Sequence, residues 1–162
     1  MSDAASTIRE ALNAGLNAQA LDLARGAAAG NVADPEIDYL AALASARLGA
    51  VAEAERRLAE IDRDSLGASP LAVEVWSLAG RIAKDRYAAV ADRTSAAAHD
   101  FAQTAIADYE HAHALGGGAY SAVNAATMAM LAGDALRANR LATQALATAG
   151  AAGDHWHHAT AA

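Results

Sequence analysis

The stretch Leu40-Ala41-Ala42-Leu43-Ala44-Ser45-Ala46-Arg47-Leu48-Gly49-Ala50-Val51-Ala52-Glu53-Ala54-Glu55-Arg56-Arg57-Leu58-Ala59-Glu60-Ile61 decides the fold. Leu40, Leu43 and Leu48 recur at helical spacing up to Gly49, and Val51, Leu58 and Ile61 resume that spacing after it. The chain therefore has two or three residues in which to reverse. Glycine, lacking a Cβ, enters the positive-φ region that such a reversal needs. Ala54, five positions further on, is expected to face the partner helix, where a larger side chain would hold the pair apart. The stretch reads as helix, tight turn, helix.

The same signals recur along the chain. Gly15 lies 34 residues before Gly49 and is followed five positions later by Ala20; Gly133 is followed in the same way by Ala138. A period of this size marks a repeat architecture. Asp34-Pro35-Glu36 and Ser69-Pro70 each set an N-capping oxygen before a proline at the first helical position, where a missing N–H costs nothing. Reading outward from these marks predicts helices at 3–14, 17–29, 35–48, 51–62, 70–90, 96–115, 119–132, 134–149 and from 154 onward. The repeats then fall at 1–34, 35–69, 70–118, 119–152 and a partial unit at 153–162. The expected architecture is an all-α solenoid of antiparallel helix pairs in a right-handed superhelix, about nine helices in one domain. The third pair is lengthened by an insertion at Tyr87 to Thr104, with its turn near Asp92-Arg93-Thr94.

Composition narrows the function. Hydrophobic residues make up 54% of the 162, but aromatic residues only 4%, so alanine supplies much of the interior and helices are the favoured element. A net charge of −7 is unsuited to collecting phosphates and argues against a nucleic-acid partner. With no cysteine there is neither a disulfide framework nor a thiolate metal site. Asp3 stands where a secretory signal would be basic, and no apolar run approaches the roughly 20 residues of a membrane span. A cytoplasmic protein without membrane attachment is expected.

The spacing of glycine and alanine resembles the tetratricopeptide repeat, and Gly153-Asp154-His155-Trp156 places a tryptophan where that repeat usually has one. More specifically, Trp76-Ser77-Leu78-Ala79-Gly80-Arg81-Ile82-Ala83-Lys84-Asp85, then Ala105-Ile106-Ala107-Asp108-Tyr109 and Tyr120-Ser121-Ala122-Val123-Asn124-Ala125-Ala126, is similar to the helical regulatory region of the apoptosis-signal-regulating kinases, called TRAF-binding for its proposed partner, and to related bacterial repeat proteins. The resemblance implies partner binding or regulation and no reaction. Because a fifth repeat opens at Gly153, the chain is expected to be a fragment of a longer protein. Trp156 and Ala159 would then lack cover, which makes a homodimer through that end an expectation.

Candidate chemistry is sparse. Arg81, Lys84 and Asp85 form a polar cluster, and Arg81 and Lys84, with Arg47 from the preceding pair, would project into a concave groove lined by the first helix of each pair and suit a carboxylate or an acidic peptide. Arg81 and Asp85 are also spaced i,i+4, and an intrahelical ion pair is the alternative account of them. Tyr120 and Asn124 share a face, either as a polar contact on the groove floor or with Asn124 bonded to backbone at the junction. Tyr39 completes the expected groove set of Tyr39, Arg47, Arg81, Lys84, Tyr120 and Asn124.

Other patterns fall short of chemistry. His155 and His158 lack a third ligand, and His111 and His113 diverge on a helix, so no metal is expected. The run Asp62-Arg63-Asp64-Ser65-Leu66-Gly67 is short of the oxygen ligands a calcium loop needs, and Gly116-Gly117-Gly118 has no Gly-Lys-Ser/Thr after it. With no nucleophile motif and no cofactor signature, the chain reads as a non-catalytic scaffold for a protein or peptide partner. The alternative is a regulatory region of a larger signalling enzyme, linked to a kinase or nucleotide cyclase.

Overall fold

The reversals at Gly15, Gly49 and Gly133 share one hydrogen-bond pattern. At Gly49 (φ +78°) the glycine N–H donates to Ala46 O at 3.1 Å and the Ala50 N–H to Ser45 O at 2.9 Å, which together close the C-terminus of the preceding helix. Leu12, Gly15, Leu16 and Ala11 repeat the arrangement, with bonds of 3.1 and 2.9 Å, as do Met130, Gly133, Asp134 and Ala129 at the same distances. The residue after the glycine is at once the last of one helix cap and the N-cap of the next helix, as Leu16 and Ala50 show. At Asp134 that residue carries a side chain able to cap, and its Oδ1 accepts from Arg137 N at 2.9 Å. Two helices are thus joined with almost no linker.

The computed structural model describes residues 3–29 and 34–152. These form α1 (Asp3–Asn13), α2 (Asn17–Ala28), α3 (Pro35–Arg47), α4 (Val51–Ala59), α5 (Pro70–Ala89), α6 (Ala96–Ala114), α7 (Gly118–Leu131) and α8 (Ala135–Ala152), with a short 3₁₀ turn at Asp64–Leu66. The eight helices pack as sequential antiparallel pairs. Among the described residues there is no strand, and no helix is long and apolar enough to cross a membrane. The ninth helix expected from 154 lies outside the described residues, as do the dimer contact and the histidines placed there.

The start signals work as expected. Asp34 accepts from Glu36 N at 2.9 Å and Ser69 Oγ from Ala72 N at 3.1 Å, with Pro35 and Pro70 in first position. Ser95 caps α6 in the same way, accepting from Ala98 N at 3.2 Å, a cap that the sequence reading passed over. The third pair is lengthened as anticipated: α5 has 20 residues and α6 has 19, against 13 and 9 in the second pair. Asp92 ties the turn between them through Thr94 N and Oγ1 at 2.9 and 2.7 Å. The guanidinium of Arg93 donates to the carbonyls of Tyr87 and Ala88 and so closes the end of α5.

The internal contacts fall into two compact units, 1–67 and 68–162. The division follows the 3₁₀ turn, where Gly67 adopts φ +55°. In the first unit, Ile8, Leu12, Leu21, Leu40, Leu58 and Ile61 are buried. Each such side chain removed from water contributes about 1.5–3 kcal/mol. Ala20 and Ala54 are fully buried at the helix contacts, as their spacing from the glycines requires. An Arg9–Glu36 ion pair at 3.0 Å joins α1 to α3.

The second unit is centred on Tyr109, Ile106, Met128 and Leu141, packed among buried alanines of α5 to α8. A carboxylate clip reinforces its far side. Glu110 of α6 accepts from Arg140 at 2.6 Å and also pairs with Arg137, both on α8. Burial raises the Glu110 pKa, but the hydrogen bonds from Arg137 and Arg140 outweigh it and leave the carboxyl below its ordinary value.

Candidate partner-binding surface

The helical period places Ser77, Arg81, Lys84 and Asp85 on neighbouring positions of α5. Along α7 the same period brings Tyr120, Ser121 and Asn124 to one side. The two faces meet side by side within the second unit. Ser77 Oγ and Ser121 Oγ are 3.2 Å apart, and Lys84 Nζ donates to Asn124 Oδ1 at 2.7 Å. Asn124 Nδ2 donates in turn to Tyr120 O at 2.9 Å, so the amide is held from both ends. Asn124 therefore bonds both to backbone within α7 and to a side chain of α5.

Tyr109 of α6 forms the floor beneath. Its ring stacks edge-on with Tyr120, centroids 6.2 Å apart, and Lys84 Nζ stands 5.9 Å from the Tyr109 centroid. The Tyr109 hydroxyl is buried and has no hydrogen-bond partner among the described residues. Burial, with the phenol of Tyr120 adding to it, pushes its pKa far above the ordinary tyrosine value. Tyr120 itself is 55% exposed and stands at the edge of the surface.

The charges here are incompletely balanced. Lys84 is half-buried, and its only polar side-chain partner among the described residues is the neutral Asn124 amide. Burial, followed by the opposing field of Asp85 and the like field of Arg81, leaves the ammonium pKa below its ordinary value. Arg81 Nε lies 3.8 Å from Asp85 Oδ2, an ion pair too long for a hydrogen bond, in the i,i+4 relation anticipated from the sequence. Elsewhere the cations are satisfied: Arg56 and Arg57 reach Glu53 at 2.8 and 2.7 Å and hold its carboxyl down to about 2. Lys84 is the only lysine in the sequence.

The remaining expected groove residues belong to the first unit and do other work there. Tyr39 is 6% exposed, beneath the guanidinium of Arg9, which lies 5.9 Å from the ring centroid. It fills the interior because its position on α3 turns inward with Leu40 and Ile37. Arg47 is exposed, but its Nη1 donates to Leu12 O at 2.8 Å, satisfying a carbonyl at the end of α1. Sequence reasoning missed Tyr109 as a participant. Its signal was Gly80, four residues before Lys84, whose missing side chain makes room for a ring.

No group of three or more potential metal ligands forms among the described residues. His111 packs its ring against Trp76, centroids 4.3 Å apart, and His113 Nδ1 lies 3.0 Å from Gly118 O, so the two diverge as expected. A protein-family model described as Tetratricopeptide Repeats-Sensor matches residues 16–129. No curated protein and no solved structure matches the chain.

Proposed function

The chain belongs to the Tetratricopeptide Repeats-Sensor family, and from that premise we propose that it is a non-catalytic interaction module. Its α5/α7 face receives a carboxylate-bearing segment of a protein partner. One observation carries the reading: Lys84 and Arg81 present two cations against the single carboxylate of Asp85, and the half-buried Lys84 is bonded only to a neutral amide. A half-buried ammonium whose direct hydrogen-bond partner is neutral is held at a cost, which an incoming carboxylate offsets by a charge-assisted hydrogen bond. The Tyr120 ring at the rim offers the flat, rigid contact area that interaction surfaces favour. Repeat modules of this kind generally serve protein interactions, and the family's description as a sensor is consistent with a binding role upstream of a response.

The test is an affinity capture comparing the wild-type chain with an Arg81→Ala/Lys84→Ala double variant, the helical content of both being checked by circular dichroism. Partners lost from the folded double variant, and weakened by salt in the wild type, support the site. An identical set of partners on both proteins removes it. The reading as a regulatory region of a larger signalling enzyme draws support from the sensor description alone, and it predicts that the same face contacts a domain of that enzyme.

A further inference from the structure

The hydroxyl of Tyr109 is a polar group that the fold leaves unmatched. Tyr109 is fully buried, and among the described residues its hydroxyl has no hydrogen-bond partner. Buried polar groups are nearly always bonded, and one left unbonded is held at a cost in free energy. The cluster that encloses the ring is built from alanines with Ile106, Met128 and Leu141; its one other polar side chain, Tyr87, stands near the far end of α5 beneath Arg93. Gly80 lies against the ring and fixes its place. Besides burial itself, the groups that act on the hydroxyl are Tyr120, Asp85 and Arg81, in that order. All three belong to the α5/α7 face, so the unmatched hydroxyl lies beneath that face.

We propose that Tyr109 and Tyr120 form a hydrogen-bond relay that is completed by the carboxylate received at the α5/α7 face; the inference rests on that reading of the face. A carboxylate brings two acceptor oxygens, and the Lys84 ammonium meets one of them. The Tyr120 hydroxyl donates to the other, while its own oxygen accepts from the Tyr109 hydroxyl. A phenol can fill both roles at once, because it carries one donor and an acceptor oxygen. The two tyrosines are suited to different parts. Tyr120 is held at its backbone, where its carbonyl accepts from Asn124, but its side chain is 55% exposed and can turn on the timescale of surface rotamers. Tyr109 is immobilised, edge-on to that ring. Tyr109 is therefore a positioning residue: it holds Tyr120 in the orientation that recognises a carboxylate, and the bound state matches a donor that the free state leaves unmatched. A spherical anion such as chloride screens Arg81 and Lys84 without presenting a pair of oxygens.

The test titrates the full chain with sodium acetate at constant ionic strength, chloride being the balancing anion, and follows the Lys84 side-chain and Tyr120 ring resonances by NMR. In the wild type both should move with one affinity. Tyr109→Phe should bind acetate about two- to tenfold more weakly, the worth of one hydrogen bond, and should raise the thermal midpoint of the unliganded chain by removing an unmatched hydroxyl. Tyr120→Phe, at an exposed side chain, should weaken acetate at least as much, and adding Tyr109→Phe to it should change the affinity no further. The relay is overturned if Tyr109→Phe binds acetate as the wild type does, if its midpoint falls, or if the two losses add. Arg81→Ala/Lys84→Ala, read at Tyr120, separates the two levels of the proposal. Acetate that moves neither resonance of the wild type removes the carboxylate reading and the relay together. Acetate lost from this double variant but indifferent to Tyr109→Phe removes the relay alone.

Discussion

Gly80 of α5 lies flat against the ring of Tyr109 on α6, so close that a Cβ at residue 80 would stand 2.8 Å from the ring's Cγ. The contact sets the separation of the two longest helices and fixes the ring beneath Lys84. A glycine in mid-helix is unfavourable by about 1 kcal/mol relative to alanine, so its presence there reflects space.

Gly80→Ala is accordingly expected to lower stability, although it raises intrinsic helix propensity. Overpacking costs about 1–3 kcal/mol, and the propensity gain returns about 1 kcal/mol. Urea denaturation should show a net loss of up to about 2 kcal/mol; a gain would mean that the ring moves aside freely.

Two further glycines should behave oppositely. Gly49 sits at φ +78°, and Gly49→Ala is expected to cost about 1–2 kcal/mol through backbone strain. Gly26 lies within α2 with open space where a Cβ would project, and Gly26→Ala should stabilise by about 0.5–1 kcal/mol. Thermal melts of the two variants would move in opposite directions.

Glu110 provides a pH test with a defined sign. Its folded pKa is below the unfolded value of 4.5, so the stability it contributes is present above that value and is lost as pH falls through the folded one. Glu110→Gln should therefore cost about 1 kcal/mol at pH 7, and the difference from wild type should shrink below about pH 4.5. Denaturation curves at pH 7 and pH 3.5 would reveal an unchanged gap if the carboxylate were not the cause.

Lys84 offers a spectroscopic test. As the only lysine, it gives a side-chain resonance that NMR can assign without ambiguity. Its pKa should fall below 10.5, and folding should become more favourable as pH rises through that window, because the unfolded chain binds the proton more tightly. Capture of an anionic partner should weaken over the same window, and a titration at or above 10.5 would contradict both.

Much of the architecture was legible because its determinants are local. Gly49 and Ala54 announce a reversal and a close helix contact by their own chemistry, and Pro35 and Pro70 mark helix starts wherever they stand. Ser95 escaped notice because a serine before alanines is an ambiguous cap signal. The candidate site was less legible, since it depends on partners far apart in sequence. Nothing in Lys84 or Asn124 alone announces their hydrogen bond across 40 residues. Nor does Arg47 advertise that it will meet Leu12 O, and Tyr39 sits on a helix whose apolar and polar faces are poorly separated.

The sharing of one residue between two helix caps leaves no slack at the reversals. An inserted residue there would break both hydrogen-bonded closures at once, so length variation has to enter elsewhere. The third pair shows the permitted route: α5 and α6 are both longer, and the extra turns emerge together at the Asp92 corner. A pair can grow outward like a lengthened finger while the knuckles at Gly49 and Gly133 keep their geometry, which makes the Asp92 corner the natural place to graft a peptide without disturbing the stack.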